Sequence, residues 1–238
     1  MGNEMKIFAI SDLHLSTAHP KPMSIFGGHW EGHFERIQED WKRRVTDQDI
    51  VLLPGDHSWA MNLEDAKLDI GQICALPGKK VLLKGNHDFW WSSLNKVSQI
   101  IFNQTYLLQN NAIAFEDVVI AGTRGWKQRN EKDFSKEDEK IYRRELLRLK
   151  MSLDEAQKMA QDRPIIVISH YPLFSVDKGH SEFTQLLEQY PITRALYGHI
   201  HGLVFQLMDF SDFELGRITY SLCSCDFLGN TLKEIPLP

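Results

Sequence analysis

Three observations predict an α/β fold. The first half of the chain alternates short buried strands with amphipathic helices in the order β-α-β-α-β, which favours parallel strands and right-handed crossovers. From about residue 106 short strands follow one another through tight turns, so the parallel order gives way to a mixed sheet. Third, five strands close on the same kind of polar motif, namely Ser11-Asp12-Leu13-His14, Gly55-Asp56, Gly85-Asn86-His87-Asp88, Ser169-His170 and Gly198-His199-Ile200-His201. Open α/β sheets place their sites at the carboxyl ends of strands, so these five ends read as one assembled site.

The elements follow in order. Met5 to Ser11 is a continuous apolar run of strand length, as expected of a strand covered on both faces. Thr17 to His29 contains Pro20, Pro22, Gly27 and Gly28 and reads as a loop in the site wall. Phe34, Ile37, Trp41 and Val45 recur at threes and fours, predicting a helix from about Trp30 to Arg44. Asp49 to Leu53 is the second strand. Leu63, Ala66, Ile70 and Ile73 give the next helix its apolar face, and Pro77-Gly78 stops it before a third strand, Lys79 to Leu83. Ser92 to Phe102 reads as a helix. Tyr106–Gln109, Ala112–Phe115 and Val118–Ala121 read as a meander of short strands.

A helical insertion at about 124–163 follows. Capping boxes at Ser135/Asp138 and Ser152/Glu155 predict two helices, about 136–150 and 153–162. They form either a solvated pair on one face of the sheet or a cap over the site. Ile165 to Ser169 is a strand, Phe183 to Leu187 lies on a short helix, and Ala195 to Tyr197 is a strand. Leu203–Met208 and Ile218–Ser224 read as a C-terminal meander.

Composition limits the class. The 238 residues, 42% hydrophobic, suffice for one large core, so a single domain over 1–238 is expected. The formal net charge of −5 argues against a basic nucleic-acid footprint. No apolar run approaches the ~20 residues needed to span a bilayer. The start does not read as a signal peptide, and Lys6 stands where a myristoylation motif expects Ser or Thr. Cys74, Cys223 and Cys225 suit no zinc ribbon and read as reduced thiols of a cytoplasmic protein.

The strand ends collect two carboxylates (Asp12, Asp56), one amide (Asn86) and four imidazoles (His14, His170, His199, His201). That is too many ligands for one metal. Structural zinc closes with four ligands, usually thiolate-rich. Seven ligands with one bridging carboxylate suit two divalent ions about 3.5–4 Å apart. Asp56 is the best bridge, because a carboxylate has two oxygens and this one sits alone on its strand end. Asp12 and His14, like His199 and His201, are two apart, so in extended backbone each pair points to one face.

Asp12-x-His14, Gly55-Asp56, Gly85-Asn86-His87-Asp88, His170 and Gly198-His199-x-His201 together resemble the calcineurin-like metallophosphoesterase superfamily. Ser58-Trp59-Ala60 and Trp90-Trp91 resemble a bacterial branch of predicted phosphohydrolases within it. The resemblance implies a four-layer α/β/β/α sandwich of two mixed sheets with helices outside. It implies one metal on Asp12, His14, Asp56 and His201 and another on Asp56, Asn86, His170 and His199. It makes His87 the acid or phosphate-contacting residue, oriented by Asp88. Two departures stand out: Trp59 occupies a position where the family often has Asp or Asn, and His57 stands where an apolar residue is common. His57 beside the bridge either touches phosphate or packs.

The expected function is hydrolysis of a phosphoester by a hydroxide bridging two divalent ions, manganese first and iron, zinc, cobalt or nickel as alternatives. His87 would protonate the leaving alkoxide. The expected substrate is a small-molecule phosphoester, a diester before a monoester, because no arginine follows the Gly55-Asp56 or Gly85-Asn86-His87 motifs; Arg124 is the one nearby candidate for that charge. A non-catalytic metal-binding scaffold and a nuclease are the rival readings. The complete ligand set opposes the first, and the lack of an aromatic-basic strip opposes the second. Trp30, Trp59, Trp90, Trp91 and Trp126 either pack in the core or wall the site, where they could stack on a base or an apolar leaving group.

Overall fold

A computed structural model describes residues 4–202, 205 and 209–237. Two sheets lie face to face between two helical layers. In the first sheet β1 (Ile7–Ala9), β2 (Ile50–Leu53), β3 (Lys79–Leu83) and β4 (Thr105–Leu108) run parallel. A late strand, which becomes β11 (Lys233–Ile235), pairs antiparallel on the far side of β1. The second sheet has the order β5-β6-β7-β8-β10-β9, from Ile113–Ala114, Val119–Thr123, Ile165–Ser169, Ile192–Tyr197, Ile218–Leu222 and Phe213–Leu215. Its four central strands are parallel and both edges antiparallel.

Strand alternation builds the layers. Ile7, Ala9, Ile50 and Leu52 face Ile120, Ile166, Ile168 and Leu196 between the sheets. The residues between them, Phe8, Val51 and Leu53, turn outward to the first helical layer. That layer holds α1 (His33–Arg44), through Phe34, Ile37 and Trp41, and α2 (Leu63–Cys74), through Ala66, Ile70 and Ile73. Strands buried on both faces have to be apolar throughout, which is why they read as unbroken runs. Here the four-layer α/β/β/α sandwich stands as expected.

Several boundaries differ from expectation. The segment 92–102 makes only one helical turn, α3 (Leu94–Val97). Val97 is its single buried residue, and Leu94, Ile100 and Ile101 pack against the same core while only partly buried. The anticipated meander divides: β4 extends the first sheet, whereas β5 and β6 form a hairpin in the second. The two expected helices are one, α4 (Lys136–Ala160), running along the outer face of the second sheet. Ser135 caps it in a capping box with Asp138. Ser152 does not cap a second helix. Its hydroxyl accepts from Gly122 N at 2.9 Å and donates to the Asn111 carbonyl at 2.6 Å. β5 reaches only as far as Ile120, so Gly122 has no strand partner on that edge and the helix supplies one. With α4 packs the short α5 (Glu182–Leu187), capped by Ser181. Leu203–Met208, expected as a strand, lies outside the described residues except Phe205.

Candidate metal centre

All five parallel strands that carry site residues point their carboxyl ends the same way: β1, β2 and β3 from one sheet, β7 and β8 from the other. The loops beyond them are laced together. Asp12 N donates to Gly55 O and His14 N to Asp56 O, each at 3.0 Å. Gly85 passes so close to Asp56 that a Cβ there would stand 2.1 Å from Asp56 Oδ1 and 2.3 Å from its backbone nitrogen, which excludes any side chain. The extended backbone expected at Asp12-x-His14 is absent. Asp12, His14, Asp56 and His199 all adopt left-handed conformations, with φ of 62°, 47°, 56° and 72°. Non-glycine residues held there are strained, and such strain concentrates at functional sites.

The seven side chains meet. Among the described residues the ligand atoms of Asp12, His14 and His201 lie within 4.8 Å of one another, as do those of Asp12, Asp56 and His170. His14 Nε2 faces His201 Nε2 at 3.3 Å, with Asp12 Oδ1 3.0 Å from the latter. His170 Nδ1 sits 2.9 Å from the Pro54 carbonyl, which fixes the proton on that nitrogen and leaves Nε2 as a lone pair. That lone pair points at two further acceptors, Asn86 Oδ1 at 2.6 Å and Asp56 Oδ2 at 3.4 Å. His199 Nδ1 joins Asn86 Oδ1 at 2.9 Å. A lone pair facing two oxygens with no proton between them is the arrangement a cation requires, and the set of carboxylate, amide and imidazole ligands fits divalent metal ions.

Electrostatics agree. Burial keeps His14 well below the ordinary histidine range, His170 down to about 4 and His199 down to about 3, so their imidazoles are neutral and free to ligate. Burial also opposes charge on Asp12, yet His201, His170 and His14 hold its carboxyl well below the usual range. Burial, then the charges of Asp88 and Asp12, pushes Asp56 well up. His201 resists burial and rises to about 10 through Asp12 and Asp226. Positive charge is wanted between these carboxylates.

Some residues lie where sequence reasoning did not put them. Asp226, after β10, takes His201 Nδ1 at 3.0 Å and so directs Nε2 inward. It follows a sixth strand with the same kind of polar ending, a signal available in the sequence. Ser11 and Ser224 hydroxyls bind Asp12 Oδ2 at 2.5 and 2.9 Å. Tyr171 lies over His199 with ring centroids 4.0 Å apart. Of the tryptophans, Trp90 and Trp91 are core, whereas Trp59 stacks on His14 at 4.8 Å and lies 4.3 Å from His87. Trp30 flanks His14 and His201, and Trp126 meets Tyr171. His57 packs: its ring stacks on Trp91 and Nε2 meets the Leu83 carbonyl at 3.0 Å.

Asp88 does not orient His87. Its carboxylate turns inward and accepts the amides of Asp56, His57, Ser58 and Gly85, together with Trp90 Nε1. His87 keeps Nδ1 without a partner, its backbone amide donates to Asp56 Oδ1 at 2.8 Å, and burial holds its pKa below the ordinary value. Asp88 therefore ties the loop after β2 to the loop after β3. Asp88→Ala would strand several buried donors, each costing about 1–3 kcal/mol. Chemical denaturation should show a loss of at least about 3 kcal/mol; a variant as stable as the parent would refute this bracing role.

A two-sheet sandwich with these strand ends defines the metallo-dependent phosphatase fold. The model of the calcineurin-like phosphoesterase family matches residues 5–203, and the chain belongs to that family. It is thus a metal-dependent phosphoesterase. Similar solved structures include the protein of unknown function AQ665 from Aquifex aeolicus, at 14% identity over 97% of this chain and 96% of that one, TM-score 0.50. Another is TT1561 of Thermus thermophilus, at 13% identity over 98% and 99%, TM-score 0.58. At such identities the likeness concerns the fold alone. No curated protein matches the chain. No helix among the described residues is long and apolar enough to cross a membrane.

Proposed function

We propose that the chain hydrolyses a small-molecule phosphodiester at a centre of two divalent ions. Asp12, His14, Asp56 and His201 would hold one ion, and Asp56, Asn86, His170 and His199 the other. The observation that carries this reading is the place of Asp56 Oδ2, 3.8 Å from His14 Nε2 and 3.4 Å from His170 Nε2. That one oxygen faces both donor groups, while Oδ1 is committed to the His87 amide. Manganese suits the two carboxylates and the amide oxygen, and the four imidazoles suit iron, zinc, cobalt or nickel as alternatives. Bound ions would neutralise phosphate oxygens and bring the pKa of a water near neutrality. The protein's own part is to orient ligands, exclude water with Trp30, Trp59 and Tyr171, and deliver a proton from His87 to the leaving oxygen. The free, buried Cys74, Cys223 and Cys225 accord with a cytoplasmic setting.

The diester preference rests on charge. Two divalent ions bring four positive charges; Asp12, Asp56 and one hydroxide bring three negative. A diester carries one negative charge and balances the remainder, whereas a monoester near neutral pH carries nearly two. Arg124 does not supply the difference, since its guanidinium lies 3.5 Å from Glu145 and over the Trp126 ring at 4.6 Å. With one metal, kcat/KM for bis-nitrophenyl phosphate should exceed that for nitrophenyl phosphate. A tenfold preference for the monoester, about 1.4 kcal/mol of transition-state binding, would overturn the argument.

A further inference from the structure

Beside the candidate metal centre, a cavity of about 250 Å³ opens between the ends of β3, β4 and β6 and the flank of α4. Four cationic side chains line it, Lys84, Arg124, Arg144 and Arg148, against a single carboxylate, Glu145. We propose that this cavity is a second anion subsite, built for a phosphate group.

Hydrogen-bond accounting supports the assignment. Glu145 is buried and already divided: Arg148 Nη1 reaches it at 2.7 Å, Arg124 Nη2 at 3.5 Å and Thr123 Oγ1 at 2.8 Å. Arg144 forms no ion pair with any of the described residues, and Arg124 Nε is buried without a partner. Lys84 Nζ donates to the Trp91 carbonyl at 2.6 Å, which uses one of its three protons and none of its charge. One carboxylate thus answers four cations. Like charges gathered in a half-buried cavity repel unless an anion joins them. Guanidinium forks match tetrahedral oxyanions in geometry as well as charge.

The cavity shares the strand-end surface with the centre. Lys84 directly precedes Gly85-Asn86. The Arg124 carbonyl accepts the amides of His170 and Tyr171 at 3.1 and 2.9 Å. An anion held here would therefore lie next to the reacting phosphoester, as a second phosphate carried by the substrate or as free inorganic phosphate. The first source rests on the hydrolytic reading above; binding of the anion does not.

Calorimetric titration of inorganic phosphate into the manganese-loaded protein tests the site. Arg144 is exposed and outside every ion pair among the described residues, so Arg144→Glu should fold normally. One bound phosphate should weaken tenfold or more in Arg144→Glu and persist in Arg144→Lys. The same phosphate should survive chelation, which separates it from any held by metal even if the hydrolytic reading fails. Unchanged phosphate binding in Arg144→Glu, or complete loss of binding on chelation, would overturn the proposal. The source follows from kcat/KM on bis-nitrophenyl phosphate and on a nitrophenyl diester bearing a terminal phosphate. A tenfold preference for the latter that Arg144→Glu removes assigns a substrate phosphate. No preference alongside retained binding assigns the free anion.

Discussion

Replacing Asp56 by asparagine should lower kcat/KM on bis-nitrophenyl phosphate by about 10³-fold or more, the several kcal/mol expected when divalent ions no longer stabilise transition-state charge. The substitution is chosen to keep the fold. Asparagine retains an oxygen that can accept the His87 amide, as Asp56 Oδ1 does at 2.8 Å, and it keeps the side chain's shape within the laced loops. What it removes is the charge on the oxygen between His14 and His170. Steady-state kinetics on folded protein, checked by its unfolding transition, read the effect. A loss below tenfold would mean that Asp56 does not join the two halves of the centre.

His87→Ala should retain the metals and lose about 10²–10⁴-fold in kcat on esters whose leaving alkoxide needs a proton. His87 contacts the centre through its backbone and through ring packing on Trp59, and none of its side-chain atoms shares in the converging ligand set. Nitrophenyl esters leave as stable phenolates and should suffer much less. The comparison of an alkyl and a nitrophenyl diester therefore isolates proton delivery from binding. Equal losses on the two would remove His87 from that role.

The strands that carry the site were legible because burial on both faces forces them to be apolar, and each closes on a polar motif. β1, β2, β3, β7 and β8 stand within a few residues of their expected places. Less visible were elements decided by tertiary contact. Lys233–Ile235 has two charged residues of three, and it becomes β11 only because β1 offers an open edge. Ser152 carries the signature of a helix start, and its lateral bonds to Gly122 and Asn111 keep α4 continuous instead. In the site, residue identity was readable and conformation was not. Asp12 and His14 reach the centre through left-handed backbone, not through strand alternation. Asp88 is adjacent to His87 in sequence, yet its carboxylate serves four amides across the loop. Ser224 reaches Asp12 across 212 residues and Asp226 takes His201 across 25, partnerships only the fold creates.

The most direct test of the central claim is metal content per chain by elemental analysis, on the parent and on Asp56→Asn and Asn86→Ala. The parent, reconstituted with manganese and freed of excess, should carry two ions. Asn86 lies with His170 and His199 alone, so Asn86→Ala should keep about one, whereas Asp56→Asn should weaken both. A parent that binds a single ion, or an Asp56→Asn chain that still holds two, would contradict a dinuclear centre bridged by Asp56.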